Sequence, residues 1–139
     1  MDLFTVMEIG ASALSAQRTR IEVISSNLAN IHTTRTPKGG PYRRRDVLFR
    51  SEPLQGAGSL GEWVMGVRVV QVVEDGRPFP VVYDPGHPDA DEQGFVRMPN
   101  VDLVEEMTNL MLAARSYEAA LKVIATAREM ALRTLELGR

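Results

Sequence analysis

The stretch VDLVEEMTNLMLAARSYEAALKVIATAREMALRTLEL, residues 101–137, decides the fold. Apolar or small residues recur in it at alternating spacings of four and three: Leu103, Met107, Leu110, Ala114, Tyr117, Leu121, Ile124, Ala131 and Leu135. Only Arg128 interrupts this seam, and a seam repeating every seven residues is the pattern of one helix lying along another. A second row, Ala113, Ala120 and Ala127, runs beside it and is small enough for a partner helix to approach closely. Asn100 or Asp102 is placed to cap the start, and Asp102 with Glu105 matches a capping box. Glu105 and Glu106 sit where the helix dipole favours anions, Arg133 lies near the other end, and Gly138 supplies the stop. At roughly 1.5 Å per residue such a helix spans about 55 Å. A compact core does not need that length; the helix is built to meet partners.

The opposite end of the chain predicts a second amphipathic helix. Thr5 and Glu8 form a capping-box pair, with Phe4 and Ile9 placed as the hydrophobic staple around them. Met7, Leu14, Ile21 and Leu28 then repeat at seven, supported by Phe4, Ala11, Ile24 and Ile31, while Gln17, Arg20, Glu22 and Ser26 confine the apolar surface to one stripe. Two one-faced helices at opposite ends of a chain most economically pack on each other. After Asn27-Leu28-Ala29-Asn30, the run His32-Thr33-Thr34 favours termination, and Thr36-Pro37-Lys38-Gly39-Gly40-Pro41 is a clear breaker.

Between the helices the period changes. Arg45 to Phe49 reads as extended, Gln55 to Gly61 as a loose glycine-rich segment, and Trp63 to Glu74 as the best strand of the chain. Asp75-Gly76 is a turn signal, leading into a short return strand from Phe79 to Tyr83 whose flanking prolines suit an edge. Asp84 to Asp89 is turn-rich, and Phe95 to Met98 offers a last short strand. The expected fold is mainly α with a small β-rich insertion: an N-terminal helix in residues 1–34, a loop and β segment in 35–98, and the long C-terminal helix in 99–139. The two helices form one coiled-coil-like module.

Composition removes several functions. The net charge of −2 gives no global attraction to nucleic acid or anionic lipid, and the absence of cysteine removes disulfides, thiolate metal sites and thiol nucleophiles. No apolar run approaches the roughly 18 residues of a membrane span, and no basic segment followed by an apolar core marks a cleaved secretory signal. His87, Asp89, Asp91 and Glu92 crowd one loop, but Pro85 and Pro88 fix its backbone, and neither an EF-hand pattern nor a paired-histidine helix is present. We therefore assign no catalytic, cofactor or metal residues. Gly56 to Gly61 lacks the Lys-Ser/Thr of a phosphate loop, and no Gly-x-Ser-x-Gly supports a nucleophile elbow. The sharpest charge cluster is Arg43-Arg44-Arg45 beside Tyr42, too small for a nucleic-acid patch. Its better use is pairing with carboxylates on a neighbouring subunit. Arg115 and Glu118 invite the same reading, against the plainer one of a local surface pair.

Asn27-Leu28-Ala29-Asn30 after an amphipathic N-terminal helix resembles the signature of bacterial flagellar axial proteins. Four further stretches are similar, more narrowly, to the proximal rod protein family. They are Thr33 to Thr36 with Gly39 to Arg44, Val82 to Asp91, Met98 to Val101, and Arg115 to Ala119. Ala120 and Ile31-His32 stand where that family usually carries asparagine and Ala-Asn. The resemblance implies a structural subunit of the basal-body rod, assembling helically into the periplasmic shaft that transmits torque to hook and filament. It implies export by the flagellar type III apparatus, and contact with copies of itself, other proximal and distal rod proteins and the rod–MS-ring junction protein. A cytoplasmic coiled-coil adaptor would share the seams without needing the ordered motifs. The candidate subunit-interface residues are Met7, Leu14, Ile21, Asn27, Leu28, Asn30, Arg43, Arg44, Arg45, Met107, Leu110, Arg115, Tyr117, Glu118, Leu121, Ile124 and Leu135.

Overall fold

The computed structural model describes residues 3–54 and 64–138. The glycine-rich segment Gln55 to Gly61 and the strand start at Trp63 lie outside them. The elements are α1 (Leu3–Ala29), β1 (Arg45–Pro53), β2 (Met65–Glu74), β3 (Val81–Tyr83), β4 (Phe95–Arg97) and α2 (Leu103–Leu137). Two long terminal helices thus enclose a small antiparallel β region, as the periodicities predict.

The helices run antiparallel along each other. Asn27 of α1 bonds Glu106 of α2, Gly10 faces Ile124, and Leu3 shares a groove with Ala131 and Leu135. The contact is close because it is made of small residues. Ala113 is completely buried, with Ala120, Ala127 and, on α1, Gly10 and Ala16 also buried. A Cβ added to Gly10 would lie 2.5 Å from Cγ1 of Ile124. Glycine there admits the isoleucine against the α1 backbone, which outweighs its poor helix propensity.

The contact uses the expected alanine row together with one half of the expected seam. The row facing α1 is Glu106, Ala113, Ala120 and Ala127, alternating with half-buried Leu110, Tyr117, Ile124 and Ala131. Leu103, Met107, Leu121 and Leu135 of the predicted seam are exposed, with Leu135 at the open groove beside Leu3. Both rows repeat at seven, so periodicity alone cannot choose between them.

The helix ends show how local chemistry sets boundaries. Asp102 caps α2, its carboxylate accepting from the N–H of Glu105 at 2.8 Å. The box is only half made, because the Glu105 carboxylate turns instead to Arg77, whose Nη1 donates to it at 3.0 Å. Gly138 marks the other end with φ −88°, so it stops the helix without using a left-handed conformation. Thr5 is not a cap, since α1 already runs from Leu3. At the end of α1, Asn30 donates from both its backbone N–H and its side-chain amide to the carbonyl of Ser26, at 3.1 and 2.9 Å. Those bonds satisfy a terminal carbonyl that the helix leaves open. The breaker that follows folds back through Gly39 and Gly40, both at positive φ (84° and 75°), and Tyr42 N–H donates to Thr33 at 2.9 Å.

β1 and β2 form one antiparallel pair, from Arg45 opposite Glu74 to Pro53 opposite Met65, with a bulge between Leu48 and Phe49. The hairpin is pinned to α1 by Ser12, whose Oγ donates to Ile9 and accepts from the N–H of Val67 at 3.2 Å. β3 does not return alongside β2, as the turn at Asp75-Gly76 suggested. It pairs with β4 in a separate two-stranded sheet. Pro78 and Pro80 deprive the approach to β3 of backbone donors, and Asp75 instead gives its N–H to Arg44 at 2.8 Å.

Candidate subunit interface

The subunit covers only part of its apolar surface. On α2, the row packed against α1 is flanked on one side by Leu103, Met107, Leu121 and Leu132, and on the other by Leu112, Val123, Met130 and Leu137. All eight are exposed. The 100° rotation per residue puts these flanks on either side of the buried row, with Arg115, Glu118, Lys122, Glu129 and Arg133 on the back. Such open apolar rows beside a packed one mark contact surfaces. Of the candidate residues, Met107, Leu121, Leu135, Arg115 and Glu118 lie in the open, and Arg115 and Glu118 form no ion pair with each other among the described residues. Met7, Leu14, Ile21, Leu28, Asn30, Leu110, Tyr117 and Ile124 are half-buried within the subunit. No helix among the described residues is long and apolar enough to cross a membrane.

Asn27 and Arg44 are both engaged inside the subunit. They meet Glu106 where α1, the start of β1 and the start of α2 converge. Glu106 is 0 % exposed; its Oε1 accepts from Nε of Arg44 at 2.6 Å and its Oε2 from Nδ2 of Asn27 at 2.9 Å. Asn27, also 0 % exposed, fills all four of its bonding positions. Its Oδ1 accepts from the Tyr42 hydroxyl and the Arg45 N–H, both at 3.0 Å, while Nδ2 also donates to the Arg45 carbonyl at 2.8 Å. Asn100, expected as a possible cap, instead accepts from the Arg44 N–H at 2.7 Å and donates to the carbonyls of Asp75 and Arg77 at 3.2 and 3.0 Å.

Charge completes the junction. Arg44 also reaches Asp46 at 3.1 Å and Asp75 at 3.4 Å. Burial works against its charge, but the bonds with Glu106 and Asp46 win, and its pKa lies above the ordinary guanidinium value. Arg77 bonds Asp75 and Glu105, holding the Asp75 carboxyl below the usual aspartate range and raising its own pKa. The flanking arginines differ. Arg43, half-buried, lies over the Phe79 ring, 4.2 Å from its centroid, and Arg45, exposed, over Tyr42 at 5.7 Å. Alternation along an extended segment therefore buries the middle arginine and leaves its neighbours more exposed.

The crowded loop is held by its own acids. Asp89 accepts from Thr34 Oγ1 at 2.7 Å and pairs with Arg35; the Thr34 bond and Arg35 hold its carboxyl below the usual range. Asp91 Oδ1 accepts from the N–H groups of Gln93 and Phe95 at 2.9 and 2.8 Å, and His87 Nδ1 from the N–H of Asp89 at 3.0 Å. Asp89 fastens the β3–β4 loop to the segment after α1, while Asp91 and His87 brace the loop itself. Sequence reasoning missed Glu106, Asp75, Asp46 and the role of Asn100. One signal was available: Glu106 stands at the same heptad phase as the three buried alanines, so a carboxylate there needs a cation.

Two family models match the two arms of this junction. One, described as "Flagella basal body rod protein", covers residues 7–35. The other, "Flagellar basal body rod FlgEFG protein C-terminal", covers residues 92–137. Proteins named flagellar basal-body rod protein FlgC are similar over nearly their whole lengths. The one from Escherichia coli O157:H7 is 45% identical over 139 residues, covering 100% of each chain. That from Borreliella burgdorferi is 41% identical over 142 residues, 94% of this chain and 93% of its own. That from Bacillus subtilis is 39% identical over 153 residues, covering 100% of each.

Proposed function

This chain belongs to the flagellar basal-body rod protein FlgC family, and from that membership we propose how its open faces are used. It is a structural subunit of the bacterial flagellar basal-body rod, a component that assembles with other rod proteins. The finer reading is that it sits in the proximal rod and stacks helically into the periplasmic drive shaft that carries motor torque to hook and filament. The observation that carries this reading is the pair of exposed apolar flanks on α2, one on each side of the row packed against α1. A helix with one free flank suits a closed dimer. One with two suits continuous neighbours on both sides, and heterologous contacts that do not close build helical filaments.

In this reading Met107, Leu121 and Leu135 meet neighbouring helices, and Arg43, Arg45, Arg115 and Glu118 meet their polar groups. Met7, Leu14, Ile21, Leu28, Leu110, Tyr117 and Ile124 set the helix pair that presents those surfaces. The neighbours are copies of the chain, other proximal and distal rod proteins and the rod–MS-ring junction protein, reached through the flagellar type III export apparatus. Gold-labelled antibody against the chain, applied to isolated basal bodies in the electron microscope, should mark the base of the rod. Label confined to the soluble cytoplasmic fraction would overturn the assignment.

A further inference from the structure

Beneath the Thr33–Tyr42 loop lies a cleft of about 690 Å³ whose lining includes Arg35, Lys38, Arg43, Arg45 and Arg97 against the single acid Glu74. That is a concentrated positive surface on a chain whose net charge is −2. We propose that this cleft is a docking site for an acidic segment of another polypeptide, one carrying at least two carboxylates. The proposal rests on the reading of Arg43 and Arg45 as interface residues and names the chemistry of what they meet.

The cations are held ready. Phe79 carries two guanidinium groups, Arg43 at 4.2 Å and Arg97 at 5.0 Å from its centroid, and Arg43 Nη1 is fixed further by the carbonyls of Asp75 and Arg77. Arg45 lies over Tyr42. Lys38 has Glu74 at 3.5 Å and Arg35 has Asp89, but among the described residues Arg45 and Arg97 make no ion pair. Both are exposed at the cleft. The mouth is open where Gly39 and Gly40 stand, since among the described residues a Cβ added to either would meet nothing within 4 Å.

The occupant follows from what is available. Arginine forks match carboxylates through paired N–H bonds. The aromatic faces in the cleft are taken by arginines, which leaves no platform for stacked bases and disfavours nucleic acid. A lone inorganic anion would fill little of the volume. A short extended peptide fits it, with carboxylates reaching Arg45 and Arg97 in turn.

The test uses the full chain with isotope-labelled arginine side chains, titrated with a short peptide alternating glutamate and serine. Its lysine counterpart and inorganic phosphate serve as controls. Binding should shift the Nε–H signals of Arg45 and Arg97 and the amide signals of Gly39 and Gly40. Arg45→Gln with Arg97→Gln should weaken it on the order of tenfold, with the circular dichroism spectrum unchanged. Shifts spread equally over Arg18, Arg115 and Arg128, or phosphate displacing the peptide at equal concentration, would mean an adventitious anion only and overturn the proposal. Unchanged binding by the double variant would do the same. Either failure leaves gold labelling of the rod unaffected, so the cleft and the rod assignment fail separately.

Discussion

Glu106→Gln tests whether the junction is held by charge or only by shape. Glutamine fits the same space, but it cannot reproduce both bonds. One carboxylate oxygen accepts from Arg44 at 2.6 Å and the other from Asn27 at 2.9 Å. An amide nitrogen in either place sets donor against donor. Among the described residues Arg44 also loses the one fully buried anion it meets, keeping Asp75 at 3.4 Å, Glu105 at 4.0 Å and the half-exposed Asp46. Removing one partner of a buried pair costs about 3–5 kcal/mol, and the three remaining carboxylates favour the lower end. Urea unfolding followed by circular dichroism should show it. With a slope near 2 kcal/mol/M, a loss of about 3 kcal/mol lowers the midpoint by about 1.5 M. The combined change Arg44→Met with Glu106→Leu should cost less than the sum of its parts, because neither charge is then stranded. A Glu106→Gln midpoint within about 0.3 M of the parent would refute the electrostatic account.

Three further outcomes follow from geometry already described. Gly10→Ala gains helix propensity but places a methyl 2.5 Å from Ile124; we expect a net loss of about 1–2 kcal/mol, partly recovered when Ile124→Ala is added, and simple additivity of the two costs would contradict the close approach. Leu121 is 45% exposed in the subunit, so Leu121→Asp should change the urea midpoint little while removing the chain from basal bodies and abolishing swimming; motile cells would refute the role of that flank. Asp75 titrates below its ordinary 3.8, chiefly through its bond with Arg77, so its contribution is present above that value and lost as pH falls through the lower folded value. Asp75→Asn should therefore be less stable than the parent at neutral pH, with the gap narrowing below about pH 4; a constant gap from pH 7 to the acid limit would argue against it.

The two helices were legible because their signals are long and redundant. Asp102 and Gly138 bracket α2, and no single residue had to be read correctly. The phase of the contact was not legible. Ala113, Ala120 and Ala127 compete with Met107, Ala114 and Leu121 at the same period, and hydrophobicity favours the wrong row. What decides between them is long-range: Gly10 accepting Ile124, and Glu106 finding Arg44 and Asn27. The three-residue strands β3 and β4 carry too little pattern to announce their pairing. Arg43-Arg44-Arg45 looked uniform as a charge cluster because composition ignores which way each side chain points. The motif Asn27-Leu28-Ala29-Asn30 could be recognised, yet its task, one asparagine knitting the junction and the other ending α1, needed coordinates.

The bond between Asn27 and Glu106 joins residues 79 apart, and that separation sets an order of events. Closing a flexible loop of this length costs about 4 kcal/mol of chain entropy beyond a constant. A single hydrogen bond does not supply that, so the junction forms only with the helix contact that brings its two arms together. A ribosome makes residue 27 long before residue 106. In the interval between them α1, Tyr42 and Arg44 therefore wait without the carboxylate that locks them. The residues of α2 are the ones that let those of α1 settle, and a product cut short before α2 is left as an unlatched chain.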